Sequence, residues 1–355
     1  MDELKKDIRE LLNKGTVIPA HPLALNRSRT LDVSYQRLLS RYYMASGAGG
    51  IAVGVHTTQF EIRNPHHNLY EKVLQLAIDE VNRANLNLPF ITVAGICGPT
   101  TEAIAEARTA KSLGYDLGLL SINGLGEWSE SALLTRAEKV GQEIPLLGFY
   151  LQPAVGGKVL SFDYWRKFAE LPSVHGIKIA PFNRYQTLEV VQAVCHSSRC
   201  NQIALYTGND DNIVMDLLST FEVDTPNGLI KKEIVGGLLG HWAVWTSKAV
   251  KLLQKVRDLK KARLVNLQEL LSEAIKITDC NAAFFDSKNN FKGCIAGIHE
   301  VLKRQGLMQG IWCLDPQESL STGQLEEIDR VYRDYPELND DDFVREHLKE
   351  WKKGL

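Results

Sequence analysis

Eight short apolar runs punctuate the first two thirds of the chain, at 17–20, 50–55, 90–96, 117–122, 145–151, 174–180, 202–208 and 234–241. They are rich in Gly, Val and Ile and too short for helices, so each predicts a buried strand. Between them the apolar positions fall at spacings of three and four. Examples are Tyr35, Leu38, Leu39 and Tyr42; Ala103, Ala107, Ala110 and Leu113; Leu188, Val191 and Cys195; and Ala249, Leu252, Val256 and Leu259. That spacing puts each set on one helix face. Strands alternating with helices require βαβ crossovers and a parallel sheet covered by helices. Eight such units predict an α/β fold of the (β/α)8 TIM-barrel type. An open dinucleotide-binding sheet is disfavoured, since no GxGxxG follows an early strand. Ahead of the eighth strand, the segment 215–232 admits a helix, a loop or both.

Beyond about residue 260 the pattern is helical only. Leu264, Leu267, Leu271 and Ile275 form one stripe, Ser321-Thr322-Gly323-Gln324 reads as a capping box, and the acidic run 340–342 caps a last helix ending at Trp351. The predicted organisation is a barrel with a short N-terminal helix over 1–259 and a helical extension packed on it over 260–355.

Composition narrows the class. Apolar residues make up 44% and charged residues 24% of 355, enough for a large core. Lys and Arg (41) nearly balance Asp and Glu (43), which argues against nucleic acid or an anionic membrane as the main partner. No apolar run reaches the ~18–20 residues of a spanning helix, and the start lacks the apolar core of a secretory signal. Six cysteines are scattered without a CxxC pair, so they read as reduced, mostly buried thiols. The expectation is a cytoplasmic enzyme acting on a small molecule.

Alternation along the strands then singles out a lysine. In the sixth run, Ile177 and Ile179 take one face and Gly176, Lys178 and Ala180 the other. A lysine between two of the smallest residues is predicted to face the barrel interior. There a buried ammonium tends to lose its proton, and the neutral amine becomes a nucleophile for carbonyl carbons. In the fifth run, bulky Leu147, Phe149 and Leu151 are assigned to the helix-facing side. Leu146, Gly148, Tyr150 and Gln152 are assigned to the interior, which brings the Tyr150 hydroxyl toward Lys178.

Four motifs occur in order: Val53-Gly54-Val55-His56-Thr57-Thr58, Gly148-Phe149-Tyr150-Leu151-Gln152-Pro153, Val174-His175-Gly176-Ile177-Lys178 and Tyr206-Thr207-Gly208-Asn209-Asp210. Over roughly residues 15–260 the chain resembles the dihydrodipicolinate synthase/N-acetylneuraminate lyase superfamily. That family carries a GTTGE-like loop after strand two, YNxP ending strand five, GxK on strand six and GxD after strand seven. The resemblance implies that Lys178 forms a Schiff base with pyruvate or a similar 2-oxo acid, with no other cofactor, and that Tyr150 relays protons. It further implies that Thr57 and Thr58 hold the substrate carboxylate, that Gly208 allows close approach of substrate, and that the assembly is a homo-oligomer, dimer or tetramer.

Departures from the family bear on the second substrate. His56 stands for the first Gly of GTTGE, and Gln59-Phe60 for its Gly-Glu. Ser121-Ile122-Asn123-Gly124 replaces the tyrosine-bearing segment after strand four, placing Asn123 among the expected pocket residues beside His56. No arginine occurs in the stretch from Tyr150 to Gly157, which counts against an aspartate-semialdehyde partner. Two further readings stay open: a barrel that binds a 2-oxo acid without turnover and serves in regulation, and a metal-dependent barrel enzyme using His21, His56 and His241. The three histidines end or follow strands one, two and eight, and polar lining of the pocket is the preferred role for them.

Overall fold

The computed structural model describes residues 4–262 and 267–355. In chain order its elements are α1 (Lys6–Lys14), β1 (Val17–Pro19), α2 (Val33–Ala45), β2 (Gly50–Val53), α3 (Tyr70–Ala84), β3 (Ile91–Ile96), α4 (Thr100–Leu113), β4 (Leu117–Leu120), α5 (Glu130–Val140), β5 (Leu146–Leu151), α6 (Phe162–Glu170), β6 (Val174–Ala180), α7 (Arg184–Cys195) and β7 (Ala204–Thr207). They continue with α8 (Ile213–Leu218), β8 (Thr220–Thr225), β9 (Gly228–Leu239), α9 (Thr246–Lys261), α10 (Leu267–Phe284), α11 (Cys294–Arg304), α12 (Gln324–Asp334) and α13 (Asp341–Trp351). The fold is a (β/α)8 barrel with additional C-terminal helices. All eight predicted strands are present. No helix among the described residues is long and apolar enough to cross a membrane.

The chain divides into two units, 1–16 with 89–238 and 17–88 with 239–355. In the first, β3, β4, β5, β6, β7 and β9 pair in parallel in that order. Its crossover helices start where side chains satisfy the first free backbone N–H groups. Ser129 caps α5, Ser161 caps α6, and Asn183 accepts from both Tyr185 and Gln186 at the start of α7. The open segment 215–232 resolves into α8 and a hairpin. β8 pairs antiparallel with the first half of β9, turning at Gly228.

In the second unit, Ala20 bridges Ala52 in parallel, and Ala20 N–H donates to Leu239 O at 3.2 Å. Glu80 on α3, 2% exposed, accepts from Arg37 and Arg41 on α2 and from Arg83. Desolvation opposes that carboxylate's charge, but the arginines prevail and hold its pKa below the usual range.

Three expectations for the C-terminal part need correction. The buried face of α10 is Leu270, Ile277, Cys280 and Phe284, whereas Ile275 is 72% exposed and Leu264 lies outside the described residues. The 321–324 box is half formed: Gln324 Oε1 accepts from Ser321 N–H, but the Ser321 hydroxyl donates to Asp286 instead. Asp340 makes no side-chain cap for α13. Its buried carboxylate accepts from Tyr42 on α2, Ser247 N–H on α9 and Gln305, which ties the helices of this unit together.

Candidate active site

Lys178 is 7% exposed. The register pairs it with Phe149 on β5 and Tyr206 on β7, and partners in a parallel ladder share a face. Its Nζ lies 4.3 Å from the centroid of the Phe149 ring. Burial pulls its pKa down to about 8, against the charge of Asp210, which favours the ammonium. At neutral pH a usable share of free amine results, and the ring's π face partly stabilises the cation that remains.

The loop after β7 is shaped to this side chain. An added Cβ at Gly208 would stand 2.6 Å from Lys178 Cε and 2.7 Å from Ala180 Cβ. Buried polar groups hold the loop in place. Asn209 donates to Thr187 and Asp216 and accepts from Phe182 N–H, while the fully buried Asp216 accepts from Thr207 and pairs with Arg184. Such a satisfied network fixes backbone position more firmly than apolar contact alone.

Tyr150 stands elsewhere. Its register partner is Ile179, and it shares a face with Gly148. That face meets α6: a Cβ on Gly148 would lie 2.6 Å from Phe168, and the Tyr150 ring packs 5.1 Å from the Trp165 ring. Its hydroxyl accepts from Leu160 N–H at 3.4 Å. The predicted parity of β5 is therefore reversed. Bulky Leu147, Phe149 and Leu151 share the Lys178 face, in keeping with barrel interiors filled by large side chains. Gly148 makes room for the aromatic face of α6. The phenol on the lysine's own face is Tyr206, whose hydroxyl donates to Leu12 O in α1 at 2.9 Å.

Asn123 lies in the loop after β4, where its Oδ1 would be 2.0 Å from a Cβ on Gly156, a residue with φ +95. In the second unit, Thr57 and Thr58 occupy a short 3-10 turn at His56–Thr58. Thr57 donates to Ala20 O at 2.8 Å, and Thr58 donates to His21 O at 2.7 Å while accepting from Gly54 N–H. Both hydroxyls donate to backbone carbonyls of the segment after β1. Gln59, in the place of the family's glycine, keeps a left-handed φ of +67, and its Oε1 accepts from Leu314 N–H.

The histidines have separate surroundings. His21 is bonded to Ser40 and Pro22 O, and the His56 ring lies 5.8 Å from that of Phe60. His241 stacks on Phe284 at 5.7 Å. Burial lowers the pKa of both His21 and His241 to about 4. Among the described residues, no group of three or more His, Cys, Asp or Glu is placed to hold a metal ion.

Sequence reasoning missed Phe149 as the lysine's neighbour. The signal available was Gly148, a gap that large residues of the following helix, Trp165 and Phe168, could fill.

No family model matches the chain. It is 24% identical over 210 residues to the 4-hydroxy-tetrahydrodipicolinate synthase of Sulfurihydrogenibium sp. (strain YO3AOP1), covering 58% of this chain and 68% of that protein. Among solved structures, dihydrodipicolinate synthase from Oceanobacillus iheyensis superposes with a TM-score of 0.73 at 16% identity, covering 93% of this chain and 100% of that one. N-acetylneuraminate lyase from Fusobacterium nucleatum, complexed with pyruvate, gives a TM-score of 0.70 at 16% identity, covering 92% and 99%.

Proposed function

The chain is a divergent member of the dihydrodipicolinate synthase/N-acetylneuraminate lyase superfamily, and from that premise we propose that it is a lyase of the class I aldolase type. Lys178 Nζ, as the free amine, adds to the keto carbon of pyruvate or another 2-oxo acid. Loss of water then leaves a protonated imine. That cation withdraws electrons from the neighbouring carbon, so a carbon–carbon bond there can form or break through an enamine with no further cofactor. The Asp210 carboxylate, whose charge already bears on Lys178, would stabilise the cationic imine. One observation carries this reading: a lysine buried on the face of the sheet opposite α6, with its pKa drawn down to about 8 and a glycine beside its Cε. The pyruvate complex of the Fusobacterium lyase supports a 2-oxo acid as the ketone.

The test is borohydride reduction in the presence of pyruvate, read by intact mass. The wild-type protein should gain a permanent adduct mapping to Lys178, and Lys178→Ala should gain none. Absence of an adduct on the wild-type protein would sink the proposal. A second reading, binding of the 2-oxo acid without turnover, is favoured by the position of Tyr150 on the α6 side, away from the lysine. Adduct formation together with no turnover on a panel of 2-oxo acids and aldehydes would select it.

A further inference from the structure

A cleft between α9 and α10 holds about 730 Å³ of empty space, counted out to its open mouth, and shares no residue with the Lys178 site. Its walls are largely apolar, with Trp242 and Val244 from the turn after β9, Leu252 on α9, Ile277 on α10 and Leu338 before α13. Trp245 lines it too, at a left-handed φ of +53 that a bulky side chain rarely adopts. The Trp245 ring is held edge-on by Phe284 at 5.0 Å and Tyr332 at 5.3 Å, so packing sustains the strained backbone.

The charges at this cleft do not balance. Lys248, Lys251 and Lys255 lie at i, i+3 and i+7 on α9, which puts all three on one helix face. Both carboxylates of the cleft are already paired, Glu273 with Lys255 at 2.6 Å and Glu337 with Lys276 at 2.7 Å. Lys248 donates to a neutral group, the Glu337 carbonyl, at 2.7 Å. Lys251 is exposed and has no hydrogen bond or ion pair among the described residues. Four ammonium groups thus stand against two carboxylates, and His241, kept neutral by burial, adds no charge.

We propose that this cleft binds a small aromatic carboxylate, its ring against Trp242, Leu252 and Ile277 and its carboxylate on the Lys248 and Lys251 ammonium groups. An inorganic anion would leave the apolar walls wet, and a neutral hydrocarbon would leave the two ammonium groups uncompensated. A molecule with both parts satisfies both demands. Indoles among the walls suit a flat ring, which packs on them edge-on or offset. Lysines are point charges on long stems, so both can follow one carboxylate at the mouth of the cleft.

The test titrates 2-naphthoate into the wild-type protein by calorimetry, with uncharged 2-naphthamide as the control. Naphthoate should bind more tightly than the amide. Lys248→Gln and Lys251→Gln should each weaken naphthoate about 2–5-fold and the double variant about 5–20-fold, with little effect on the amide. Ile277→Trp fills the cleft and should abolish binding of both; if it folds poorly, the lysine variants decide alone. Naphthoate should still bind Lys178→Ala, which separates this cleft from the barrel lysine. Three results would each overturn the proposal: no binding to the wild type at millimolar probe, undiminished affinity in the double lysine variant, or loss of binding in Lys178→Ala. Borohydride trapping uses neither lysine of α9, so failure here leaves the aldolase reading untouched.

Discussion

Two lysines in the same unit, Lys178 buried and Lys232 half-buried, are both depressed in pKa by desolvation, yet their chemistry diverges. Lys232 on β9 has its ammonium satisfied: two carbonyls accept from it, and two thiols draw on its charge. Lys178 on β6 has an aromatic face at 4.3 Å and one carboxylate acting through space. A bonded ammonium holds structure together, and its proton is difficult to remove because the acceptors favour the charged form. An ammonium over a ring, with no carbonyl cradle, releases its proton more readily and becomes a nucleophile. Burial alone does not free a lysine's amine; burial without acceptors favours its neutral form.

The largest expected effect separates the two lysines outright. Lys178→Ala should abolish borohydride-trapped pyruvate and reduce any turnover to background, while thermal unfolding moves little. Lys232→Met should do the converse. Leaving the Cys200 and Ile203 carbonyls without their donor should cost about 1–3 kcal/mol, seen in denaturant melts, with trapping retained. If Lys232→Met loses the adduct while remaining folded, the division of labour between them is wrong.

The next effect sharpens what surrounds Lys178. Gly208→Ala places a methyl 2.6 Å from Lys178 Cε and 2.7 Å from Ala180 Cβ. The side chain must shift, and trapping should slow by about 10–100-fold, since a misplacement of an ångström is felt strongly in reactive geometry. Trapping at the wild-type rate would show that the loop after β7 does not confine the amine.

A smaller effect reads the electrostatics. The free-amine fraction grows as pH rises through the lysine's pKa, so the trapping rate should climb through about pH 8 and then level. An ordinary lysine would keep climbing toward 10.5. Asp210 favours the ammonium, so Asp210→Asn should move the midpoint to lower pH. A midpoint that rises or stays in place would mean that Asp210 does not act on Lys178.

Much of this frame is legible in the sequence, and the exceptions share a cause. The eight parallel strands show as short apolar runs, and Lys178 stands out because Gly176 and Ala180 flank it at period two. The hairpin of β8 and β9 had a signal as well, since Pro226-Asn227-Gly228 follows a stretch that alternates Phe221 and Val223 with polar residues. β5 offers only Gly148 as a clue. All six of its residues are buried, so the alternation of apolar and polar positions that assigns faces is absent, and pairing with β6 and packing against α6 decide. The same ambiguity affects α10, where stripes beginning at Leu267 and Leu270 both repeat at helical spacing. Packing against α11 and α12 selects the second.

The smallest expected effect falls on Tyr150, and it tests the corrected parity. A phenol relaying protons to the imine would cost about 10²–10⁴-fold in rate when its hydroxyl is removed. A phenol against Trp165 on the α6 side does something else. There its hydroxyl accepts one long hydrogen bond from Leu160 N–H, in the segment leading to α6. Tyr150→Phe removes that acceptor and leaves the ring packing in place. The expected loss is about 0.5–1.5 kcal/mol of stability, with trapping and turnover within a few-fold of wild type. Phe149→Ala is the companion measurement, because it removes the ring beneath Nζ and opens space beside the amine. Trapping should respond to Phe149→Ala and not to Tyr150→Phe. A rate that collapses in Tyr150→Phe while the melt is unchanged would put the phenol back beside the lysine and reverse the face assignment of β5.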